Sequence, residues 1–315
     1  MIGFSTQTSL FIVYINDLVD YSEFNSEIFL YADDTKIYKF ISDDADVLKL
    51  QEDLNKIVEW INIWLLKLNV NKCKVVSYGR KISVENKYHI DGVALDRTDN
   101  IKDLGVTFDS KLNFKKHIQE KIAKANSIIG IIKRNFKNMT LDAHVALYKS
   151  LVRSHLEYAE AVWSPYKKED IENIEKVQMR ATKMFFGNKH MSYEQRLRKL
   201  KLPTLKFRRI RGDIIETYKF VHGIYDKSFP LDFALQSGTR GNIFKLSTEH
   251  IRYDLRKYSF CHRIVGVWNS LPQHVVTAPS VDSFKNRLDK FWMHQNVMYD
   301  WTVDLSGTGS RSCIM

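Results

Sequence analysis

The sequence has little cysteine, no clustered histidine and no long apolar run. Cys73, Cys261 and Cys313 are far apart along the 315 residues, which excludes a disulfide framework and a zinc site built on a C-x-x-C pair. The ten histidines stand singly and form no ligand pattern, so we expect no zinc site. No segment approaches the roughly 18 to 20 apolar residues that a membrane span needs, and we expect no membrane partner.

Targeting signals are also missing from the sequence. Residues 1 to 20 lack a basic start followed by an apolar stretch and a small-residue cleavage site. Cys313 is third from the end, whereas a prenylation box needs its cysteine fourth from the end. We therefore expect an intracellular protein, in the cytoplasm or the nucleus, that is not secreted. The 44% of hydrophobic residues is enough for a globular core.

The net charge of +11 is distributed unevenly. Residues 1 to 110 carry −6, residues 111 to 225 carry +14, and residues 226 to 315 carry +3. A basic surface gains affinity for nucleic acid by neutralising phosphates and releasing counterions. The middle third therefore favours a polyanionic partner, although a lysine-rich surface that only keeps the protein soluble would have the same charge.

The first 110 residues mix helix and strand patterns. Residues 9 to 18 are compatible with a short helix or a buried strand, with the spacing of Leu10, Tyr14 and Leu18 slightly favouring helix. EIFLYADDTKIYKFI alternates about a polar centre and predicts strand, turn and strand. Three aspartates at 43, 44 and 46 then begin an amphipathic helix that ends near Lys67. KCKVVSYGR, KYHIDGVAL and KDLGVTFDS predict three more strands, which complete a small sheet by about residue 109.

From Asn113 onward the hydrophobic period is helical. The pattern predicts helices over residues 114 to 136, 140 to 160, 168 to 187, 192 to 199, 204 to 223, 254 to 269 and 280 to 295. Residues 230 to 250 are richer in Gly, Ser and Thr and predict a loop. We therefore predict an α+β fold in three parts, with a small antiparallel sheet and a helix in 1–110, basic helices in 111–225 and further helices in 226–315. Five tryptophans lie in the helical patterns and are expected in the core: Trp60, Trp64, Trp163, Trp268 and Trp292.

Asp33 and Asp34 place two adjacent carboxylates at the turn of the first hairpin. Mg²⁺ takes oxygen ligands and usually binds one or two protein carboxylates, with substrate phosphates and waters completing its shell. Two-metal phosphoryl transfer needs such carboxylates on a rigid support. Aspartate is also a common turn residue, and two aspartates between strands are mostly just a turn, so the dipeptide alone favours an ordinary turn.

The order of the motifs resembles the reverse transcriptase of LINE-type (non-LTR) retrotransposons of the jockey and CR1 kind. Tyr31-Ala32-Asp33-Asp34 lies between SLFIVYINDL and KLNVNKCKVVSYGRK, and DLGVTFDSKLNFKKHI follows. The similarity continues through LYKSLVRSHLEYAEAVWSPYKKEDIENIEKVQMRATKMFFG and RKYSFCHRIVGVWNSLPQHVVTAPSVDSFKNRLDKFW, so that it covers roughly residues 3 to 295. The resemblance implies a partial polymerase palm followed by a helical thumb. It also implies Mg²⁺-dependent DNA synthesis from deoxynucleoside triphosphates on an RNA template and a DNA primer.

The resemblance assigns roles to individual residues. Asp33 corresponds to the metal-ligating carboxylate of the family's YADD turn, and Asp34 to its less directly coordinating neighbour. Lys72, in LNVNK, corresponds to a lysine that lies near the phosphates of the incoming nucleotide in the family. The resemblance implies that this lysine donates a proton to the leaving pyrophosphate. The remaining residues that the resemblance places near nucleotide or primer are Gly3, Tyr31, Ala32, Leu104 and Gly105.

The sequence departs from the family pattern at its beginning. MIGFSTQTS stands where the family usually has P-Q-G-S-x-L-G-P-L, so that Gly3 matches but Ile2, Gln7 and Thr8 do not. The fingers and the strand with the first palm aspartate precede this point in the family. From Met1 we therefore expect a truncated polymerase that holds at most one weakly bound Mg²⁺ and makes no DNA alone.

Two basic clusters lead to the alternative hypothesis of a nucleic-acid-binding protein without catalysis. In residues 114 to 136 an apolar stripe runs along one helix face, and basic residues occupy the other faces. The resemblance compares this helix with a thumb that follows the backbone of the template–primer duplex. The basic residues of this helix are Lys115, Lys116, Lys121, Lys124, Lys133 and Arg134. The second cluster comprises Lys206, Arg208, Arg209 and Arg211, where a charged helix face beside packed aromatics is an equally good interpretation.

Overall fold

The computed structural model describes residues 6–79, 86–186, 190–225, 231, 233 and 242–308. The chain forms two compact units, which we call the N-terminal unit (Met1–Ile101 with Asp109–Lys111) and the helical unit (Lys102–Phe108 with Leu112–Met315). Helices and short strands are both present, which confirms the predicted α+β class. The division into three parts at residues 110 and 225 stays a prediction. None of the described helices is long and apolar enough to cross a membrane.

In the N-terminal unit the described residues form two α-helices and six strands. The helices are α1 (Thr6–Asn16) and α2 (Asp44–Ile63), and the strands are β1 (Glu27–Tyr31), β2 (Asp34–Tyr38), β3 (Lys74–Val75), β4 (His89–Ile90), β5 (Val93–Ala94) and β6 (Asp96–Arg97). Strands β7 (Asn100–Asp103) and β8 (Val106–Asp109) form a hairpin through which the division between the units passes. Residues 9 to 18 thus fall mainly in a helix, the alternative that their spacing favoured.

The strands form four separate pairs among the described residues, whereas the sequence pattern predicted one small sheet. β1 pairs with β2 and β4 with β5 in antiparallel fashion, β3 pairs with β6 in parallel, and β7 pairs with β8. KYHIDGVAL and KDLGVTFDS each contain a hairpin because Asp91-Gly92 and Leu104-Gly105 have positive φ, from 42° to 80°. Two consecutive residues of positive φ match the twist of a tight two-residue hairpin turn.

Helix α2 begins where the sequence predicts and ends earlier. The Asp43 carboxylate accepts a hydrogen bond from the Asp46 N–H at 3.0 Å and caps the helix. The helix ends at Ile63 rather than near Lys67, because Leu65 adopts φ 55° and the Leu66 N–H donates to the Ile61 carbonyl at 3.0 Å. This left-handed residue at the C-terminus closes the helix in the way that glycine more often does.

The helical unit contains the remaining helices. They are α3 (Lys115–Asn135), α4 (Leu141–Leu147), α5 (Ser154–Glu157), α6 (Glu160–Trp163), α7 (Lys168–Phe186), α8 (Tyr193–Leu200), α9 (Leu205–Val221), α10 (Asp254–Lys257), α11 (Phe260–Arg263), α12 (Val265–Asn269), α13 (Gln273–Val276) and α14 (Val281–Trp292). The continuous helix predicted for residues 254 to 269 is wrong, because three short helices occupy that range. Within the loop predicted for 230 to 250, the described residues 231, 233 and 242 to 250 form no helix, and Phe233 and Leu246 make an isolated antiparallel bridge; the rest of this loop lies outside the described residues.

The helix predicted over residues 140 to 160 is interrupted. A π-helical turn (Tyr148–Arg153) separates α4 from α5. The chain then leaves the helix at Tyr158, and Ala159 has φ 53°. The Trp163 indole N–H donates to the Tyr158 carbonyl at 2.8 Å, so a side-chain donor five residues further on replaces the backbone donor of a continued helix. No proline or glycine marks this break in the sequence.

Each unit has its own apolar core. In the N-terminal unit Ile15, Leu18, Ile57 and Trp60 are buried. The helical unit has one core around α3, α7 and α8 and a second around α9, α12 and α14. Of the tryptophans expected in the core, Trp60, Trp163, Trp268 and Trp292 are fully buried, and Trp64 packs against the N-terminal core while partly exposed.

Candidate metal and nucleic-acid sites

The two predicted metal-binding carboxylates lie at the tip of the β1–β2 hairpin. Tyr31 pairs with Asp34, so that Ala32 and Asp33 form a two-residue turn. Ala32 has φ 52°, a conformation that costs about 1–2 kcal/mol for a residue with a side chain. The carboxylates of Asp33 and Asp34 are exposed. The sequence thus holds two adjacent carboxylates at a strained and solvent-accessible point.

The hairpin is supported from one face. Ile28, Leu30 and Ile37 pack against the core of the N-terminal unit, while Phe29 and Tyr31 are exposed on the opposite face. This alternation follows from the period of two in a strand. The tip therefore projects from a hairpin whose base is fixed by apolar packing.

A buried aspartate on α2 fixes the chain at the start of β1. Asp53 is fully buried, and its carboxylate accepts hydrogen bonds from the Asn25 N–H at 3.1 Å and the Ser26 hydroxyl at 2.6 Å. Burial alone would raise the pKa of Asp53, but these bonds, with Lys56 at 3.6 Å, hold its pKa below the ordinary value. Sequence reasoning missed Asp53, because its place among Leu, Ile and Trp at helical spacing was the only signal.

The donor chemistry of the tip suits a hard cation that shares its coordination shell with other ligands. Asp33 and Asp34 supply carboxylate oxygens, and within the described ranges no group of three or more His, Cys, Asp or Glu residues could hold a metal ion. Two carboxylates are the usual protein share of a Mg²⁺ shell that substrate phosphates and waters complete. Asp33 and Asp34 are therefore fitting ligands only together with other oxygen donors.

Of the other residues assigned near nucleotide or primer, Tyr31 and Ala32 belong to the hairpin tip itself, and the rest belong to other elements. Lys72 is exposed at the end of a 3₁₀ turn (Val70–Lys72), and no bond between described residues joins it to the hairpin tip. Gly3 lies outside the described residues. Leu104 and Gly105 form the turn between β7 and β8, in the helical unit.

The Leu104–Gly105 turn is anchored to two helical segments. The Lys121 ammonium donates to the Gly105 carbonyl at 3.1 Å, and the Tyr158 hydroxyl donates to the Leu104 carbonyl at 2.8 Å. The Thr107 N–H, at the start of β8, donates to Nδ1 of the buried His117 at 3.1 Å. Burial, with a smaller contribution from Lys121, lowers the pKa of His117 to about 4, so the ring is neutral and its Nδ1 can accept.

The basic residues predicted on the other faces of residues 114 to 136 are largely accessible. Ile118, Ala125, Ile129 and Ile132 form the buried stripe of α3. The exposed basic side chains are Lys115, Lys116, Lys124, Lys133 and Arg134. Lys121 is half-buried and occupied by the Gly105 carbonyl, so it differs from the other five basic residues.

The second basic cluster is engaged within the protein. Lys206 pairs with Asp304 and Arg211 with Asp289, each at 2.6 Å, and Arg208 forms a bidentate pair with Glu157. Arg209 is 4% exposed. These contacts favour the interpretation of a charged helix face beside packed aromatics, and binding of nucleic acid by these four residues stays a prediction.

Comparison with known proteins gives four curated relatives. The chain is 28% identical over 184 residues to the RNA-directed DNA polymerase from mobile element jockey of Drosophila melanogaster. The aligned segment covers 56% of this chain and 20% of that protein. It is 27% identical over 216 residues to the jockey polymerase of Drosophila funebris, and this alignment covers 66% of this chain and 23% of that protein. It is also 27% identical over 160 residues, 48% of this chain and 17% of the relative, to a probable RNA-directed DNA polymerase from transposon BS of Drosophila melanogaster.

The chain thus spans about a fifth of the length of the first two relatives. No protein-family model and no solved structure matches it. Because the relatives are polymerases of mobile elements, they confirm the resemblance that the motifs predicted. Over about half its length, this chain is similar to the RNA-directed DNA polymerases of jockey-like mobile elements.

Proposed function

We propose that this chain is part of the RNA-directed DNA polymerase of a non-LTR retrotransposon. The observation that carries the proposal is the β1–β2 hairpin, which presents Asp33 and Asp34 together at an exposed tip. Similarity to the jockey polymerases supports the same conclusion. In this function Asp33 and Asp34 hold Mg²⁺ together with the phosphates of a deoxynucleoside triphosphate. The ion would supply positive charge that stabilises the phosphates during transfer.

We propose further that residues 1–315 alone do not extend a primer. Two divalent ions about 4 Å apart repel each other and need bridging carboxylates from more than one strand. In the part of the chain that the structure describes, the hairpin pairs with no third strand. The tip is therefore proposed to act with carboxylates that another polypeptide segment supplies.

A primer-extension assay tests this division of labour. Purified chain is incubated with an RNA template, an annealed DNA primer, the four deoxynucleoside triphosphates and Mg²⁺. We expect no incorporation. Incorporation that Asp33→Ala abolishes would show that the chain is a complete polymerase and would refute the proposed dependence on another segment.

The accessible basic face of α3 favours a second function, binding of nucleic acid without catalysis. Five exposed cations on one helix, with the apolar stripe buried, provide phosphate contacts that do not depend on sequence. We expect the chain to be retained on RNA in a salt-dependent manner. Each phosphate contact steepens the fall of log affinity with log salt by about 0.7 for a single strand and about 0.9 for duplex DNA.

Two matched charge reversals test this binding. Lys116→Glu with Lys133→Glu changes the α3 face, whereas Lys257→Glu with Lys290→Glu alters the net charge equally at exposed positions elsewhere. We expect the first pair to weaken retention and to reduce the salt slope by about one per lost contact. Equal effects of the two pairs would mean that only net charge matters and would contradict a site on α3.

A further inference from the structure

Ser259, in the helical unit, follows two basic residues. It lies between α10 and α11, directly after Arg256-Lys257-Tyr258. In the part of the chain that the structure describes, it is the only serine or threonine with arginine three positions before it and lysine two positions before it. Protein kinases select their substrates partly by the pattern of charges beside the hydroxyl. The sequence before Ser259 therefore matches a kinase that recognises basic residues.

The two basic residues lie on a helix that can open at little cost. Helix α10 is a single turn, Asp254–Lys257, and all four of its residues are exposed. No side-chain hydrogen bond caps its N-terminus at Tyr253. A helix this short has almost no stability of its own, and α10 buries none of its residues to compensate. It can therefore unwind and present the half-buried Ser259 to an enzyme while the apolar core stays intact.

The Ser259 hydroxyl lies beside groups that bind phosphate. It donates to the Arg256 carbonyl at 2.7 Å and lies 2.9 Å from Nδ1 of His262. The Arg256 guanidinium is at the other nitrogen of the same ring, with its Nε 3.4 Å from Nε2. The Arg256 side chain is 62% exposed, so it is free to turn toward a new partner. Arginine binds phosphate through two parallel N–H···O bonds, which makes these contacts strong.

A single carboxylate now holds Arg256 and His262. Glu249, in the segment before α10, accepts a hydrogen bond from Arg256 Nη2 at 2.6 Å and lies 3.6 Å from Nε2 of His262. A phosphorylated serine carries about −1.5 to −2 charges at pH 7, so it attracts Arg256 more strongly than one carboxylate does and repels Glu249. Arg263 is not available in place of Arg256, because it forms a bidentate pair with the buried Asp213.

We propose that Ser259 is a phosphorylation site and that its phosphate takes Arg256 from Glu249. A protein kinase transfers the γ-phosphoryl group of Mg²⁺-bound ATP to the Ser259 oxygen. The new P–O bond forms as the bond to the β,γ-bridging oxygen breaks, ADP leaves with that electron pair, and the hydroxyl proton passes to a base of the kinase. Glu249 is then released, and the segment before α10 loses its tie to α10 and α11. The inference is independent of polymerase activity and of nucleic-acid binding.

Phosphorylation of the folded full chain tests the site. The protein is incubated with Mg²⁺, ATP and a protein kinase that requires basic residues before serine, and modified positions are mapped by mass spectrometry of peptides. The variants are Ser259→Ala and the double variant Arg256→Ala with Lys257→Ala. The matched control is Arg198→Ala with Lys199→Ala, which removes an adjacent arginine and lysine that are exposed on α8. Thermal unfolding shows that each variant is folded.

We expect Ser259 to be the main modified position and its modification to disappear in Ser259→Ala. The rate should fall about tenfold or more when Arg256 and Lys257 are replaced, since charge-assisted contacts with the kinase are lost, and should be unchanged in the control pair. An unmodified Ser259 in the folded chain, or equal rates in the two double variants, would overturn the proposed site.

Amide hydrogen exchange tests the change of partner. Phosphorylation should accelerate exchange in residues 247 to 253, because Glu249 no longer ties this segment to Arg256. Glu249→Gln, without phosphorylation, should accelerate exchange in the same residues. Exchange that is unchanged by phosphorylation but faster in Glu249→Gln would mean that the phosphate leaves Arg256 with Glu249, and would overturn this part of the proposal.

Discussion

Replacement of Glu175 by alanine should destabilise the helical unit more than any surface change on the same helix. Glu175 lies on α7 and is fully buried. Its carboxylate accepts hydrogen bonds from the Tyr193 hydroxyl at 2.5 Å and from the Leu205 N–H at 3.1 and 3.2 Å. Leu205 is the first residue of α9, so this carboxylate also satisfies and complements the N-terminus of that helix.

The magnitude follows from the groups that lose their acceptor. Burial raises the pKa of Glu175, and the bond from Tyr193 opposes that increase, as do the N–H donors of α9. Each buried donor left without a partner costs about 1–3 kcal/mol. Two such donors remain in Glu175→Ala, so we expect a loss of about 4 kcal/mol. For a unit of this size that loss lowers the midpoint of thermal unfolding by about 10 °C.

Urea and thermal unfolding of Glu175→Ala and two comparison variants provide the assay. The control is Glu172→Ala on the same helix, whose exposed pair with Lys176 at 2.9 Å should contribute less than about 0.5 kcal/mol. Glu175→Gln keeps one acceptor but presents an amide to N–H donors, and an intermediate loss is expected. If Glu175→Ala and Glu172→Ala had the same effect, the reasoning that the buried carboxylate joins α7 to α9 would be refuted.

Two further predictions concern groups beside the candidate sites. Asp53→Ala removes the acceptor of the Asn25 N–H and the Ser26 hydroxyl and should destabilise the N-terminal unit by about 2–4 kcal/mol in urea unfolding. The control Glu52→Ala, at an exposed position, should have almost no effect. Equal losses of stability in the two variants would contradict the anchoring role of Asp53. His117 has a pKa of about 4 in the fold against an ordinary 6.5, so the unfolded chain binds the extra proton between these values and stability must fall as the pH is lowered through that window. The loss should reach about 3 kcal/mol and should be missing in His117→Gln; an identical pH dependence of both proteins would show that the ring is not held neutral.

The sequence predicts the elements whose cause is local. The β1–β2 hairpin follows from alternation about Asp33 and Asp34, and α2 begins at Asp43 because that residue can cap it. Elements decided by tertiary contacts are missed. The helix predicted to 160 breaks at Tyr158, whose hydroxyl donates to the carbonyl of Leu104, 54 positions away along the chain.

The candidate sites show the same limit. Motif order identifies Asp33 and Asp34, and helical periodicity identifies the exposed lysines of α3. Periodicity does not distinguish a free lysine from one that bonds a distant carbonyl, as Lys121 does. It also does not show that Arg208 and Arg211 have carboxylate partners, which are 51 and 78 positions away along the chain.

The central claim is that the tip of the β1–β2 hairpin is a site for a divalent cation, and Mn²⁺ binding tests it most directly. Bound Mn²⁺ can be measured because it no longer contributes to the electron paramagnetic resonance signal of the free ion. The variants are Asp33→Asn with Asp34→Asn, and as control Asp91→Asn, an exposed aspartate with φ 50° at the turn of the β4–β5 hairpin. We predict one weak site in the wild-type chain that persists in Asp91→Asn and disappears in the double variant. Equal binding by the wild-type protein and the double variant would contradict the claim that Asp33 and Asp34 form a metal site.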